Sequence, residues 1–173
     1  MLIRKTTLSD LPEVMSLIHE AQATIADLGI DQWQNGYPSA PVIEADIEKG
    51  QSYCVELDGK VCATFVLMRD QEHDYDRIYE GHWLTADDSL DYITLHRMAI
   101  RVSHRGQGLS DAIIDYARRL AVELGRSIRV DTHKGNVRMR RLLQKQGFAY
   151  CGVVYMPNGD PRVAYELTVT INR

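Results

Sequence analysis

The stretch "VSHRGQGLSDAI", residues 102–113, lies where a strand-like run gives way to a helix-like one. A strand that passes through Gly-x-Gly into a helix is typical of an anion site, because the first N–H groups of a helix lack partners and the helix dipole favours negative charge. Gly106 and Gly108 let a ligand approach the backbone closely, and Arg105 adds a permanently charged donor. A plain connecting turn explains the same residues, so this stretch alone leaves both interpretations open.

Two better-known phosphate motifs do not fit. A dinucleotide fingerprint needs a third glycine, and that position holds Asp111, whose carboxylate would repel a pyrophosphate. Asp131, further along, is therefore no evidence for such a site. A P-loop needs Gly-Lys-Ser or Gly-Lys-Thr, and the sequence contains neither.

The hydrophobic pattern on both sides of this stretch predicts the secondary structure. Helices are expected from a cap at Thr7 or Ser9 to Gly29, and over residues 42–50, 109–125 and 136–147. Strands are expected over residues 1–6, 52–57, 60–68, 92–102, 127–133, 148–156 and 162–170. Asp58-Gly59 between two of these strands indicates a hairpin turn. Residues 69–91 form a long polar and aromatic excursion, a feature that is often functional.

This order of elements predicts an α/β fold with a mixed sheet. Helices stand between the central strands, so at least one neighbouring pair of strands must be parallel, and helices on both faces would cover the sheet. A length of 173 residues without a linker predicts a single domain over residues 1–173.

Composition narrows the function. A net charge of -4 argues against a dedicated nucleic-acid binder, which needs a basic surface. Three scattered cysteines without a CxxC pair, and histidines without a His-x-x-x-His spacing, predict no metal site and free buried thiols. Without a signal-like start or a run of roughly 20 apolar residues, we expect a cytoplasmic protein that does not enter a membrane.

A second motif, "NVRMRRLLQKQGF" at residues 136–148, follows the first after one helix and one strand. Together they resemble the GNAT superfamily of acetyl-CoA-dependent N-acyltransferases. That family combines Arg/Gln-x-x-Gly-x-Gly/Ala with Asn-x-x-Ala-x-x-Leu-Tyr-x-Lys-x-Gly-Phe. The first pattern falls on Arg105, Gly108 and Ser110. The second falls on Asn136, Met139, Leu142, Leu143, Lys145, Gly147 and Phe148.

The resemblance implies a GNAT-like sheet of about six to seven strands, largely antiparallel with a parallel central pair. It also implies acetyl-CoA as acyl donor and no metal. The donor pyrophosphate would lie on Arg105, Gly106, Gln107, Gly108, Leu109 and Ser110, and the pantetheine arm on Met98, Ala99 and Ile100. Asn136 would face the donor, and Arg140 would reach its phosphates.

Two departures from the family pattern matter. Ser110 replaces Gly or Ala, and its small side chain should be tolerated. Leu143 replaces the tyrosine that often protonates the leaving thiolate in this family, so the resemblance does not carry that acid role over to this position.

Acetyl transfer to an amine needs a neutral nucleophile, so a general base or a water chain is expected. The candidates are His96 in a strand, His133 at a strand end and Glu80 in the excursion. Each also has a structural interpretation. His96 could bond to a neighbouring strand, His133 could bond to the helix-entry loop, and Glu80 could be a solvated loop charge. A strand N–H near Ile100 would stabilise the oxyanion.

The acceptor pocket is expected in the two aromatic loops. Trp33, Tyr37, Tyr79 and Trp83 could attract an amine through their ring faces, or could simply anchor long loops. We therefore predict an enzyme that acetylates a primary amine of a small molecule or a protein. The alternative is a non-catalytic acyl-CoA-binding sensor, which the missing tyrosine favours. A homodimer is compatible with the sequence.

Overall fold

The computed structural model of this protein describes residues 1–85 and 91–170. Its helices are α1 (Leu11–Asp27), α2 (Ala40–Glu48), α3 (Leu109–Leu124) and α4 (Val137–Lys145). Its strands are β1 (Leu2–Lys5), β2 (Ser52–Leu57), β3 (Lys60–Met68), β4 (Tyr92–Ile100), β5 (Ser127–Thr132), β6 (Ala149–Tyr155) and β7 (Pro161–Leu167). Short 3-10 turns occupy Leu8–Asp10, His73–Tyr75 and Val102–His104.

The strands form one mixed sheet in the order β1-β2-β3-β4-β5-β7-β6. The pair β4–β5 is parallel, with Tyr92 opposite Ser127 and Thr94 opposite Arg129, whereas β1–β2, β2–β3, β5–β7 and β6–β7 are antiparallel. The predicted fold class, with seven strands and a parallel central pair, is therefore confirmed. The chain divides into two compact units, which are residues 1–67 with 96–113 and residues 68–95 with 114–173.

In the first unit, α1 begins where the sequence placed its start. The Thr7 N–H and hydroxyl both donate to the Asp10 carboxylate, at 2.8 and 2.9 Å, which caps the turn that leads into α1. Pro12 occupies the first turn, where a missing N–H costs nothing. The apolar face of α1 packs with α2 and the end of β4 in a buried cluster of Val14, Leu17, Ile18, Ala21, Ile43 and Ala99.

The β2–β3 hairpin of this unit also has the predicted turn. Asp58 and Gly59 have φ angles of +49° and +76°, as a tight two-residue turn requires at both positions. The strands pair from Leu57 opposite Lys60 outward, with a register shift between Val55 and Glu56.

The second unit holds the start of the excursion. Its apolar cluster contains Tyr75, Trp83, Tyr92, Cys151, Val154 and Ala164, all buried. Positions 86–90 of the excursion lie outside the described residues, so the structure places only residues 69–85 and 91 of it.

The three cysteines are free and buried, and burial raises the pKa of the Cys151 thiol to about 11. No described helix has the length and apolarity that crossing a membrane requires. Within residues 1–85 and 91–170, no three His, Cys, Asp or Glu side chains are grouped to hold a metal ion.

Candidate functional site

The glycine loop of residues 105–108 lies directly before α3, and its residues 106–108 are exposed. Gly106 and Gly108 have φ angles of +76° and +80°, the left-handed region that only glycine adopts without strain. A Cβ atom at either glycine would meet no atom within 4 Å, so open space faces both positions. Because a helix leaves its first N–H groups unbonded within itself, this loop and the start of α3 present backbone donors in an open surface suited to an anion.

A polar stripe on α1 fixes the strand-to-loop connection. Glu20 accepts hydrogen bonds from the Val102 N–H at 2.9 Å and from the Arg101 guanidinium at 2.7 Å. Arg101 also donates to Glu13 at 3.0 Å. The Val102 hydrogen bond, more than any other contact, lowers the pKa of the Glu20 carboxyl. Glu20 is therefore held as an anion against the backbone that enters the loop.

Arg105 belongs to the same connection, because its guanidinium donates to the Thr24 hydroxyl at 3.2 Å, one turn beyond Glu20 on α1. This contact holds the Arg105 guanidinium beside α1. Met98 and Ile100 on β4 are half-buried, and Ala99 between them packs into the α1 cluster. The residues that the sequence predicts to bind the acyl donor on β4 and in the glycine loop, 98–100 and 105–110, all lie in the first unit.

Arg97 on β4 has an unusual backbone. Its φ of +49° is in the left-handed region, which costs a residue with a Cβ about 1–2 kcal/mol. Its guanidinium donates twice to the buried carboxylate of Asp46, both times at 2.7 Å, and once to the Tyr37 hydroxyl at 2.9 Å. Burial, the largest single effect, would lower the pKa of Arg97, but the hydrogen bonds and charges of Asp46 and Tyr37 together outweigh it and raise the pKa.

The two candidate histidines have different surroundings. The half-buried His96 precedes Arg97 on β4. His133 follows β5, and its Nδ1 accepts the Gly135 N–H at 2.9 Å. While that bond is kept, Nδ1 carries no proton and the proton of the neutral ring sits on Nε2, so His133 has no free lone pair with which to take a proton from an amine.

The first half of the excursion is anchored rather than loose. Trp83 is buried, donates from Nε1 to the Tyr75 carbonyl at 3.0 Å, and lies with its ring 4.2 Å from the Arg129 guanidinium. Tyr79 bridges to Val153 of β6 through paired backbone hydrogen bonds of 2.8 Å and keeps an exposed ring. Glu80, which follows it, is exposed. The roles predicted for Trp83, Tyr79 and Glu80 stay predictions, and the buried position of Trp83 gives it a clear structural task.

The loop between α1 and α2 carries two further aromatic residues, which also differ in exposure. Trp33 is partly buried against the α1–α2 cluster. Tyr37 is exposed and reaches Arg97 with its hydroxyl. The structure therefore brings one predicted acceptor residue, Tyr37, beside the part of β4 that also carries His96 and Met98.

In α4, Asn136 uses its side chain as a helix cap, accepting the Met139 N–H at 3.2 Å. Arg140 donates to the Tyr165 hydroxyl at 3.1 Å and to the Lys134 carbonyl at 3.0 Å. These contacts fix both side chains, and their part in donor binding stays a prediction. The fully buried Leu143 offers no proton donor at its position.

Four residues of this region were not predicted from the sequence, namely Glu20, Arg101, Arg97 and Asp46. A signal existed for the first: Glu13, Glu20 and Thr24 recur at spacings of seven and four along α1, away from its apolar residues. A polar stripe at helical spacing indicates a face that contacts polar structure. The Arg97–Asp46 pair joins positions 51 residues apart and has no such local signal.

Known proteins resemble this chain in sequence and in structure. Residues 21–148 match the sequence profile described as the Acetyltransferase (GNAT) family. A solved GNAT-family acetyltransferase from Streptococcus agalactiae 2603 is 36% identical, with a TM-score of 0.85 over 98% of this chain and 95% of that chain. Among curated protein sequences, none matches this chain.

Two more distant structures show the fold alone. A GNAT-family acetyltransferase from Listeria monocytogenes 4b F2365 is 23% identical, with a TM-score of 0.72 over 96% of this chain and 93% of that chain. The ribosomal-protein-S18-alanine N-acetyltransferase from Escherichia coli is 16% identical, with a TM-score of 0.63 over 99% of this chain and 96% of that chain.

Proposed function

The chain belongs to the GNAT acetyltransferase family, and from this premise we propose that it transfers the acetyl group of acetyl-CoA to a primary amine. The acceptor is a small molecule or a protein, and the reaction is a direct attack of the amine on the thioester. The setting is cytoplasmic, as the sequence led us to expect. The chain's family makes it an acyltransferase; the donor, the acceptor class and the residues that serve them are the proposal.

One observation carries the choice of donor. The two left-handed glycines, Gly106 and Gly108, open a bare backbone surface at the start of α3, beside a guanidinium at Arg105. A pyrophosphate needs several N–H donors and a positive charge, and this loop offers both. Residues 98–100 of β4 lie along the chain just before the loop and bind the pantetheine arm.

CoA supplies the acetyl group as an activated thioester. The protein must then present the amine in its neutral form. A primary amine with a pKa near 10.4 is protonated at pH 7, so it must first lose a proton. Of the three candidate bases, His96 fits best, because His133 has committed its Nδ1 lone pair to Gly135 and Glu80 is exposed to solvent. We assign His96 the role of taking the ammonium proton, directly or through a water.

In the transfer step the amine nitrogen forms a bond to the carbonyl carbon and the carbon–sulfur bond breaks. The electron pair of that bond leaves with the sulfur as a thiolate. Since Leu143 brings no acid, a water molecule passes the proton that the attacking nitrogen loses to the thiolate, and the pKa of a thiol, about 8.5, makes this the easier proton transfer. A backbone N–H near Ile100 stabilises the oxyanion.

The test is release of free CoA thiol from acetyl-CoA, followed with a panel of alkyl amines, polyamines and peptides with a free α-amino group. We expect release that depends on the amine and an acetylated product whose mass is higher by one acetyl group. Binding of acetyl-CoA without turnover by any amine in the panel would instead favour the non-catalytic sensor. Absence of CoA binding would remove the proposal.

A further inference from the structure

Arg97 breaks the regular pattern of β4 in two ways. Its φ of +49° rotates the flanking peptide groups out of the extended conformation, within a strand that otherwise runs from Tyr92 to Ile100. Burial along the strand changes at the same point, from fully buried residues 92–95 to half-buried residues 96–98. In an extended strand, N–H and C=O groups alternate between the two edges, and a left-handed residue interrupts that alternation.

A backbone of this kind persists only where its surroundings hold it. Here the Asp46 carboxylate on α2 binds the Arg97 guanidinium through two hydrogen bonds of 2.7 Å. Both side chains are largely buried, at 12% and 7% exposure, so water competes little for the pair. The third contact, from Arg97 to the Tyr37 hydroxyl, ties the loop before α2 to the same guanidinium.

We propose that the buried Arg97–Asp46 pair is a positioning device, which holds β4 in its left-handed turn at Arg97 and so sets the direction of the peptide groups at residues 97–98. This inference rests on the proposed function, because it assigns that direction to the acyl donor and the attacking amine. Arg97 lies between His96, the candidate base, and Met98, the first residue assigned to the pantetheine arm. A reorientation at this position would therefore displace groups on both sides of the reacting atoms.

Two substitutions distinguish the effect of the backbone conformation at residue 97 on kcat from the effect of the side-chain charge. Arg97→Ala removes the pair and keeps a Cβ that disfavours positive φ. Arg97→Gly removes the pair equally but adopts positive φ without strain. Placing both in an Asp46→Asn background avoids an unpaired buried carboxylate in either protein.

We expect the alanine variant to lose about 10- to 100-fold in kcat, with a small change in the KM for acetyl-CoA. The glycine variant should recover at least about tenfold of that loss. Equal losses in both variants would overturn the proposal, since the side chain itself would then be needed. Near-normal rates in both would overturn it too.

Asp58 provides a matched control, because it has the same φ of +49° but sits in the exposed β2–β3 turn. Asp58→Ala and Asp58→Gly should differ in melting temperature, with the glycine variant higher, and should have the same kcat. A difference in kcat within this pair as large as that at Arg97 would show a general stability effect and contradict a positioning role.

A measurement without turnover separates this inference from the proposed function. NMR chemical shifts and the coupling between the amide and Hα protons of residue 97 report its φ directly. We expect positive φ in the wild type and in Arg97→Gly, and negative φ in Arg97→Ala. A positive φ in the alanine variant would overturn the holding role of the pair even if no amine were acetylated.

Discussion

Arg101 in the first unit and Arg129 in the second each pair with a glutamate, but the two pairs differ in burial. The side chains of Arg101 and its partner Glu20 are 20% and 33% exposed, whereas those of Arg129 and Glu166 are 1% and 0% exposed. Exposed pairs contribute about 0–1 kcal/mol to stability, because solvent screens them. Loss of one partner from a buried pair costs about 3–5 kcal/mol, because the other charge is left without compensation.

The neighbours of the buried pair explain its task. Glu166 accepts from the Ser127 and Thr85 hydroxyls and from the Leu84 N–H, while Arg129 stacks between Trp83 and Tyr92, 4.2 Å from each ring. This centre therefore ties the excursion at residues 83–85 to strands β5 and β7. The part-buried Arg101–Glu20 pair ties α1 to the backbone that leads into the glycine loop.

Glu166→Gln should give the largest effect. It keeps the shape of the side chain but leaves the Arg129 charge buried and unpaired, so the free energy of unfolding should fall by about 3–5 kcal/mol in urea titrations. Glu13→Gln is the matched control on the exposed side, since Glu13 pairs with Arg101 and is 64% exposed. Its effect should be below about 1 kcal/mol. Similar losses in the two variants would contradict the contrast between the pairs.

The difference in unfolding free energy between the wild type and Glu166→Gln should change with pH in one direction only. Burial, the largest single effect, would raise the pKa of Glu166, but the hydrogen bonds from Ser127, Thr85 and Leu84 and the charge of Arg129 together outweigh it and lower the pKa. The stability that the ionised group contributes is therefore present above the unfolded pKa of about 4.3 and is lost as the pH falls through the lower folded pKa. The gap between wild type and Glu166→Gln should narrow below about pH 4, and a widening gap would contradict this assignment.

His96→Gln tests the proposed general base, which lies in the first unit. It keeps a polar side chain on β4 but removes the titration, so kcat/KM should fall by about 10²-fold and the acidic limb of the pH profile should flatten. His133→Gln is the matched control, because the His133 ring is committed to Gly135. A normal rate and an unchanged acidic limb in His96→Gln would return His96 to a structural role.

Regular elements and tight turns were predictable because their signals are local. Asp58-Gly59 predicted a hairpin turn from residue type, and the structure has a tight turn there, with positive φ at both residues. The helix starts and the parallel strand pair followed from caps and from element order.

Features that depend on distant partners were not predictable from one sequence. Nothing about an arginine in an apolar strand indicates a left-handed backbone at Arg97, because its partner Asp46 lies on another element. The aromatic residues illustrate the same limit. Trp83 and Tyr79 look alike in the sequence, but one is buried over Arg129 and the other has an exposed ring, and burial is decided by tertiary packing.

Glu20→Ala should sharpen the role of the exposed pair. It removes the acceptor of the Val102 N–H as well as that of Arg101, so the CoA dissociation constant should rise by about tenfold, as expected for a charged hydrogen bond of about 1.5 kcal/mol. Glu13→Ala, which removes only a contact to the Arg101 side chain, should leave it unchanged. Equal dissociation constants in the two variants, measured by calorimetry, would remove Glu20 from loop positioning.

A calorimetric titration of CoA into the wild type, Gly108→Ala and Gly59→Ala decides whether residues 105–110 bind the acyl donor. Both glycines have positive φ, +80° and +76°, and both face open space, so the two alanines bring similar strain of about 1 kcal/mol. We expect CoA to bind the wild type and Gly59→Ala equally, and Gly108→Ala about fivefold more weakly, since its strain and its methyl group fall on the bound pyrophosphate. Equal binding by all three folded proteins would contradict the assignment of this loop.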